Sequence, residues 1–575
     1  MSETERDDGK DEAATPAPEG DETLAEATGI EAPEAPAPGE PAAAEETAAE
    51  IPEELKPTES LDEMAAEARS EIADDDAEPA QEALGEISEK SREAETAADT
   101  APEPDAAAGE GQGEEEEPRD GETEAAAPAP AKGWPGRIFG FVGRSRLVSA
   151  PLLVVIALVF FLPGFFSIPP VDRDEARFAQ ASRQMVETKD FIDIRFQAEA
   201  RHKKPIGIYW LQSAAAIASG EGAEAPIWVY RLPSLAGAVL AVLLTWWAAL
   251  PIAGRSGAFF AGLMMAAAIL PGVEARLAKT DAVLLACLIA AQGGLLRAFL
   301  VAEGYRRRRL TTTLFSTGIG PGILVKGPIV PMVTGLTTLT LMLFSRSVGW
   351  FARLRPLTGL LWVLVIVLPW LVAIGIVTKG AFFTEALGKD LLAKVGTGQE
   401  SHGAPPGTYL AAFWGTFWPI APFFALAVPF VWRHRRERGV LFTLAWIVPS
   451  WLVLEAVATK LPHYVLPLYP AFAILPAAAL FRDELQVDAL WKKLVGLLVP
   501  LVPVVLAVGV PVGLFWLDGT LTPAATALTL VAAVLSVFAW RYLARNDTAS
   551  ALVTTFAAAA ILYAGVYQFA IPEAR

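Results

Sequence analysis

The chain has one cysteine in 575 residues, so no intrachain disulfide can hold it together. That residue, Cys287, lies inside an apolar run and reads as a small buried apolar side chain. The first 130 residues contain no Trp, Tyr or Phe. A segment without aromatics, built of Ala, Glu, Pro, Asp, Thr and Gly, cannot bury enough apolar surface to offset its chain entropy. It also lacks a basic start and an early apolar core, so it is not a signal peptide. No Gly-Lys-Ser/Thr phosphate-cradling loop is present anywhere, and no ATP use is expected.

What is present divides sharply. Residues 1–130 hold 43 Asp and Glu against 7 Lys and Arg, and the remainder holds 23 against 39. The formal charge of −20 therefore averages an acidic tail of −36 and a basic body of +16. We read residues 1–130 as a disordered acidic tail, 131–482 as a membrane core, and 483–575 as C-terminal transmembrane helices.

Apolar runs of about 20 residues, the length that crosses a bilayer as helix, recur along the body. They fall near 147–167, 232–252, 256–273, 281–302, 310–325, 328–345, 357–377, 408–431, 440–459, 464–481, 494–516, 522–541 and 549–571. The expected fold is an all-α polytopic membrane protein of about 13 spans. Gly320-Pro321-Gly322 makes the pair around Lys326 the least regular.

Lys and Arg precede the first span and return in alternate loops: Arg306 to Arg309, Arg346 to Arg355, Arg433 to Arg438, Lys492-Lys493, and Arg541 with Arg545. By the positive-inside rule those loops and the acidic tail are cytoplasmic, and the C-terminus lies outside. His434 belongs to this basic set and marks topology only.

The opposite loops carry scattered Asp, Glu, Lys, Arg, His and Tyr pressed against span ends. Ionisable residues there are functional candidates. The densest begins at Val171-Asp172-Arg173-Asp174-Glu175-Ala176-Arg177. Ala176, Ala179, Met185 and Val186 fall at helical spacing, which predicts a short amphipathic helix with acids at its favourable N-terminal end. Arg177, three residues after Asp174, shares its face. The ordinary structural reading is an acidic cap with a local ion pair. Lys203-Lys204-Pro205 follows, with Tyr209 and Trp210 suited to the interface. Lys204 there is placed for a lipid phosphate, or simply to snorkel.

Six stretches then appear in order. They are Asp174-Glu175-Ala176-Arg177-Phe178-Ala179; Lys204-Pro205 with Tyr209-Trp210-Leu211-Gln212; Arg231 to Gly237; Arg276 to Leu284; Leu324-Val325-Lys326-Gly327-Pro328; and Lys460 to Ala471. This ordered set, over about 147 to 480, resembles the ArnT-type aminoarabinose transferases, within the wider protein-mannosyltransferase-like group of GT-C glycosyltransferases. The resemblance implies periplasmic juxtamembrane helices and transfer of a sugar from a polyprenyl-phosphate carrier to an acceptor outside a bacterial inner membrane. The acceptors are lipid A or another glycolipid first, protein hydroxyls second. It implies Asp174 as central carboxylate, with Glu175 and Asp281 as further acids. Arg177 and Lys204 would bind the carrier phosphate, with Lys326, Lys460, His463, Tyr464 and Tyr209 contributing. Membrane lipids are expected partners, and nucleic acid is not.

Two departures stand out. Lys203 and Ile206 replace an acid and a second proline of the family pattern. The spans run to within a few residues of the end, so the large soluble C-terminal domain of some relatives is not expected. His202, His402 and His463 all fall on the outer side, but no ligand spacing supports a divalent metal held by them.

Direct displacement at the anomeric carbon predicts inversion, because no carboxylate is singled out as a covalent nucleophile. A transporter is the main rival, yet its charges belong near the bilayer midplane and often in repeated halves. Here they sit at span ends without repetition. Even Glu455, the most nearly intramembrane acid, lies about a turn before Lys460. A scaffold would leave function intact in Asp174→Asn.

Overall fold

The structure is a computed structural model that describes residues 145–300, 308–386, 404–519 and 521–573. The tail, His402 and the Arg306 and Arg307 pair lie outside the described residues.

Chain order explains how the bundle is laid down. Helix α1 (Arg146–Phe161) starts at Ser145, whose side chain accepts from the Leu147 N–H at 3.2 Å. Helix α2 (Arg173–Thr188), a two-residue antiparallel hairpin of β1 (Arg195–Phe196) on β2 (Glu199–Ala200), and α3 (Gly207–Ala218) form the first connection. Helix α4 (Ile227–Ala267) contains Gly254 at φ 67° and ψ −175°, a conformation open to glycine and closed to most side chains. There the helix reverses. A Cβ on Gly262 would sit 3.2 Å from Trp246 Cβ and from the Val242 carbonyl. In a straight helix those residues would be about 24 Å or more apart. The single stretch is thus a helical hairpin and supplies both spans expected at 232–252 and 256–273.

Next come α5 (Ile269–Glu274), α6 (Asp281–Leu300), α7 (Arg308–Lys326), α8 (Ile329–Ser345) and α9 (Pro356–Val377). They are followed by α10 (Thr408–Thr416), α11 (Ala421–Arg433), α12 (Arg438–Ala456), a 3-10 turn at Pro462–Leu468, and α13 (Tyr469–Phe481). The chain ends with α14 (Leu498–Asp518), α15 (Pro523–Ala544) and α16 (Thr548–Tyr563). Among the described residues eight helices are long and apolar enough to cross a membrane, or nine if α10 and α11 form one bent span; α1 and α8 are apolar but shorter. Every expected apolar run overlaps a helix. One differs in shape: 408–431, read as a continuous span, bends by 116° between α10 and α11. The Gly320-Pro321-Gly322 interruption leaves α7 continuous.

Burial ranks the helices. The Pro462–Phe481 segment is 83% buried and α6 72%, whereas α9 is 17% buried and turns its side chains toward lipid. The two most enclosed segments are also the ones whose ends carry Asp281 and His463. Helix α6 meets α4 where a Cβ on Gly237 would lie 2.8 Å from the Val283 backbone nitrogen, so only glycine permits this approach. Arg276 fixes the connection before α6. Its guanidinium donates to the Phe160 and Pro163 carbonyls at the end of α1, at 2.5 and 2.7 Å, and stacks on Tyr567.

The basic loop at Arg433 to Arg438 and the end of α13 form a separate cluster. Arg433 and His434 pair with Glu484, and His434 and Arg482 pair with Glu437, all at 2.5–2.7 Å. His434 therefore does more than mark topology: it ties the ends of α11 and α13 together.

Candidate active site

Helix α2 begins one residue after Asp172, whose extended backbone (φ −107°, ψ 127°) lets its Oδ1 accept the Asp174 N–H at 2.7 Å. This is an ordinary N-cap. Its second oxygen, Oδ2, accepts from Lys279 Nζ at 3.0 Å. Lys279 also lies 3.7 Å from Glu274. Two residues on, Asp281 opens α6, where the helix dipole favours an anion. Asp281 accepts from Lys326 Nζ at 2.5 Å and from the Thr280 hydroxyl at 3.2 Å. His463 spans the group, with Nδ1 3.9 Å from Glu274 and Nε2 4.0 Å from Asp281. Lys326 Nζ stands 5.5 Å over the Tyr464 ring. Four stretches of chain thus bring Asp172, Glu274, Lys279, Asp281, Lys326 and His463 to one place.

Three carboxylates face two ammonium groups, and both ammonium groups already have an anionic partner. Burial raises the Glu274 carboxyl, and the Asp281 charge adds to that, bringing it up to about 7. One oxygen of Glu274 is buried with no hydrogen bond among the described residues. Burial pushes Asp172 up, but Lys279 outweighs it and holds the carboxyl below its usual range. Burial pushes Lys279 down, but Glu274, Asp281 and Asp172 together raise it. The cluster therefore holds Lys279 in its charged form and pushes the Glu274 carboxyl up toward neutrality.

A second buried group holds this one in place. Glu175 and Arg231 are fully buried and pair twice, at 2.6 and 3.1 Å. Glu175 also accepts the Ala278 N–H at 3.0 Å, next to Lys279. The rest of Arg231 donates to the Phe165, Ile168 and Pro169 carbonyls. Glu175 was expected among the catalytic acids. Its oxygens are instead consumed by Arg231 and the 278 amide, so it locks α2 to α4 and to the loop before α6. The apolar stripe of α2 shifts accordingly: Glu175, Phe178, Ala179, Ser182 and Met185 are buried, while Ala176, expected on that face, is exposed.

The other expected residues have contacts of their own. Asp174 is about 45% exposed and pairs loosely with Arg177 at 3.8 Å. Of the acids at the start of α2 it is the one open to solvent, whereas Asp172 is turned toward Lys279. Tyr209 is buried and accepts from Arg201 at 3.2 Å, and burial raises its hydroxyl to about 12. Lys204 is partly buried on the turn before α3. Lys460, expected to contribute to binding the carrier, is engaged at a helix end. Its ammonium donates to the Glu455 and Val457 carbonyls at 2.8 and 2.6 Å and caps the end of α12. His202 has its two nitrogens toward different carboxylates, Asp193 and Glu385, at 3.3 and 3.1 Å.

Asp172, Glu274, Lys279 and Arg231 were not singled out by sequence reasoning. Asp172, Lys279 and Arg231 lie in the charged stretch or ordered motifs and Glu274 two residues before one, so the signal for them was present but did not distinguish inward from outward side chains.

The helical membrane bundle has the GT-C fold. It aligns with the crystal structure of ArnT from Cupriavidus metallidurans bound to undecaprenyl phosphate at a TM-score of 0.61, over 74% of this chain and 78% of that one, with 23% identity. Residues 203–372 match the dolichyl-phosphate-mannose-protein mannosyltransferase family. This segment holds Lys204, Tyr209, Arg231, Glu274, Lys279, Asp281 and Lys326, but not Asp172, Asp174 or His463. The chain is also similar to the undecaprenyl phosphate-alpha-4-amino-4-deoxy-L-arabinose arabinosyl transferases of Aeromonas salmonicida (strain A449) and Aeromonas hydrophila subsp. hydrophila. It is 27% identical to each, over 332 and 330 residues, or 57% and 56% of this chain. The matches span 59% and 58% of those relatives.

Proposed function

We propose that this multi-pass membrane protein is a glycosyltransferase. It moves a sugar from a polyprenyl-phosphate carrier to an acceptor at the outer face of a bacterial inner membrane, with lipid A or another part of lipopolysaccharide as acceptor. The observation that carries this reading is the pair of lysines held by carboxylates at the bundle lip, Lys279, which is buried, and Lys326, which is half-buried. A polyprenyl phosphate is already a good leaving group, so the step needs cations near the departing phosphate and no proton donor there. A phosphate oxygen arriving at the cluster competes with Asp172 and Asp281 for those ammonium groups. The attacking oxygen displaces the carrier at the anomeric carbon, with inversion. A lipid phosphate acceptor is already nucleophilic; a sugar hydroxyl would use Asp174, the exposed acid, as base. The named relatives support 4-amino-4-deoxy-arabinose as the sugar.

The test is mass spectrometry of lipid A and core lipopolysaccharide from cells carrying the wild-type chain, a deletion, and Asp174→Asn. A sugar-sized mass absent from the deletion supports the reading and identifies both sugar and acceptor. Its loss in Asp174→Asn as well places that carboxylate in the reaction. An unchanged lipid profile in the deletion overturns the lipopolysaccharide acceptor and turns the search to glycoproteins, which the mannosyltransferase family match favours as second reading.

Glu274 gives a pH prediction. Below about 7 its carboxyl is protonated, so the cluster is one unit more positive and binds an anionic phosphate better. KM for the lipid-linked donor is expected to rise as pH climbs through about 7, and Glu274→Gln to flatten that limb. The same group contributes stability that is full below about 4.5, its unfolded value, and lost as pH rises through about 7. A KM profile with the same slope in Glu274→Gln would assign the limb to another group.

A further inference from the structure

We propose that His202 is a positioning residue that pins the turn carrying Lys204 to the chain past α9, and does so only while its ring is charged. The inference rests on the transferase reading above and on the carrier-phosphate role that the family resemblance implies for Lys204. It adds control of that site by the pH at the outer face.

His202 is 5% exposed and lies two residues before Lys204, on the turn between β2 and α3. Its two nitrogens face acids from two different parts of the chain. Nε2 is 3.3 Å from Asp193 of the same outer connection, and Nδ1 is 3.1 Å from Glu385, just past α9. Among the described residues no other acid or base pairs with the ring. Phe382, also past α9, meets the imidazole edge-on at 5.7 Å. One side chain thus joins two outer segments about 180 residues apart in sequence.

The ring cannot serve both acids when it is neutral. A neutral imidazole has one N–H and one lone pair, and a lone pair turned to a carboxylate repels it; the charged ring donates from both nitrogens. Imidazole is the side chain whose charge ordinarily changes between about pH 5 and 8. The acid released is Glu385. Its contact is an ion pair that lacks hydrogen-bond alignment, since Nδ1 has no hydrogen bond, and its side chain is 42% exposed and free to turn to water. Asp193 is 12% exposed and has further ties: its second oxygen meets Arg195 at 3.3 Å, and its N–H donates to Asp190 at 3.1 Å. A second tie joins the connection to α9, from Trp370 Nε1 to the Ile192 carbonyl at 3.1 Å, and it has no titrating group. Release of Glu385 therefore loosens the His202 end of this seam and leaves the Trp370 end closed. Lys204 lies at the end that loosens.

The experiment uses the full chain in proteoliposomes. Hydrogen exchange of the backbone amides over 192–204 and 378–386 is read at about pH 5 and about pH 8 and corrected for its intrinsic pH dependence. In the wild-type protein both stretches are expected to exchange about three- to tenfold faster at the higher pH, the worth of one hydrogen bond. Glu385→Gln removes that difference, because an amide can donate to the neutral ring or accept from the charged one. Equal exchange at the two pH values in the wild-type protein, or a difference that survives in Glu385→Gln, overturns the pin. The second arm reads affinity for undecaprenyl phosphate in Glu274→Gln, where that carboxyl no longer titrates. Affinity there is expected to fall between the two pH values by about three- to tenfold more than in the double variant Glu274→Gln with Glu385→Gln, the lipid's own titration being common to both. Equal falls overturn the positioning of Lys204. Absence of binding at both pH values in the wild-type protein overturns the transferase reading, and the exchange arm then still decides the pin.

Discussion

Lys326→Met is expected to lower kcat/KM for the lipid-linked donor by about a hundredfold or more, the usual effect of removing one fixed donor to a developing anion. The variant alone cannot make the case, because it also strands the buried Asp281 carboxylate that Lys326 holds at 2.5 Å. Removing one partner of a buried ion pair costs about 3–5 kcal/mol, so the protein would also lose stability. The double variant Asp281→Asn with Lys326→Met separates the two effects. It removes both charges, and is expected to recover most of the thermal stability in detergent while remaining inactive. Lys326→Arg is expected to keep the fold and part of the activity, since its charge is retained but its planar head cannot occupy the same point. If the double variant regains activity, Lys326 serves only to neutralise Asp281 and the phosphate role fails.

The legible and illegible parts of this site divide along a physical line. Asp281, Lys326, His463 and Tyr464 could be picked out because each sits at the end of an apolar run, where a polar side chain needs a reason. The thirteen expected runs overlap helices for the same reason, and the Gly254 reversal within α4 restores the two spans that one unbroken helix would have merged. Side-chain direction was harder to read. Asp172, Asp174 and Glu175 stand within four positions, and their roles follow from which residue caps α2. With Asp172 as cap, Glu175 turns into the core toward Arg231 and Asp174 turns outward. A one-residue shift of the cap would have exchanged those roles. Glu274 and Lys279 were visible as charges, but the pairing of Lys279 with Asp172 is a contact between residues 107 apart in sequence. Lys460 was expected to contribute to binding the carrier, but a lysine just past a helix end has carbonyls to satisfy first. The 116° bend between α10 and α11 leaves no mark in the hydropathy of 408–431.

The largest effect on stability is expected from Arg231→Met. Arg231 is fully buried and serves the Glu175 carboxylate and the carbonyls of Phe165, Ile168 and Pro169. Methionine fills much of the space but leaves a buried carboxylate and three carbonyls without their donor, a loss of about 3–5 kcal/mol or more. Glu175→Gln keeps Arg231 and an acceptor oxygen, so it is expected to cost less. Glu175→Met with Arg231→Met removes the stranded charge and falls between them, because the three carbonyls and the Ala278 amide stay unmet. Aggregation temperature after extraction in a mild detergent should therefore order the proteins as wild type, Glu175→Gln, the double variant, then Arg231→Met. Activity should separate from stability in Glu175→Gln. Glu175 anchors α2 three residues after Asp172 and grips the amide beside Lys279, so loosening it shifts both partners of the Asp172–Lys279 pair. A folded Glu175→Gln protein with a raised KM for the donor fits that positioning role. Wild-type KM in that variant, or an Arg231→Met protein as stable as the double variant, would show that this ion pair neither positions the site nor carries an uncompensated charge when broken.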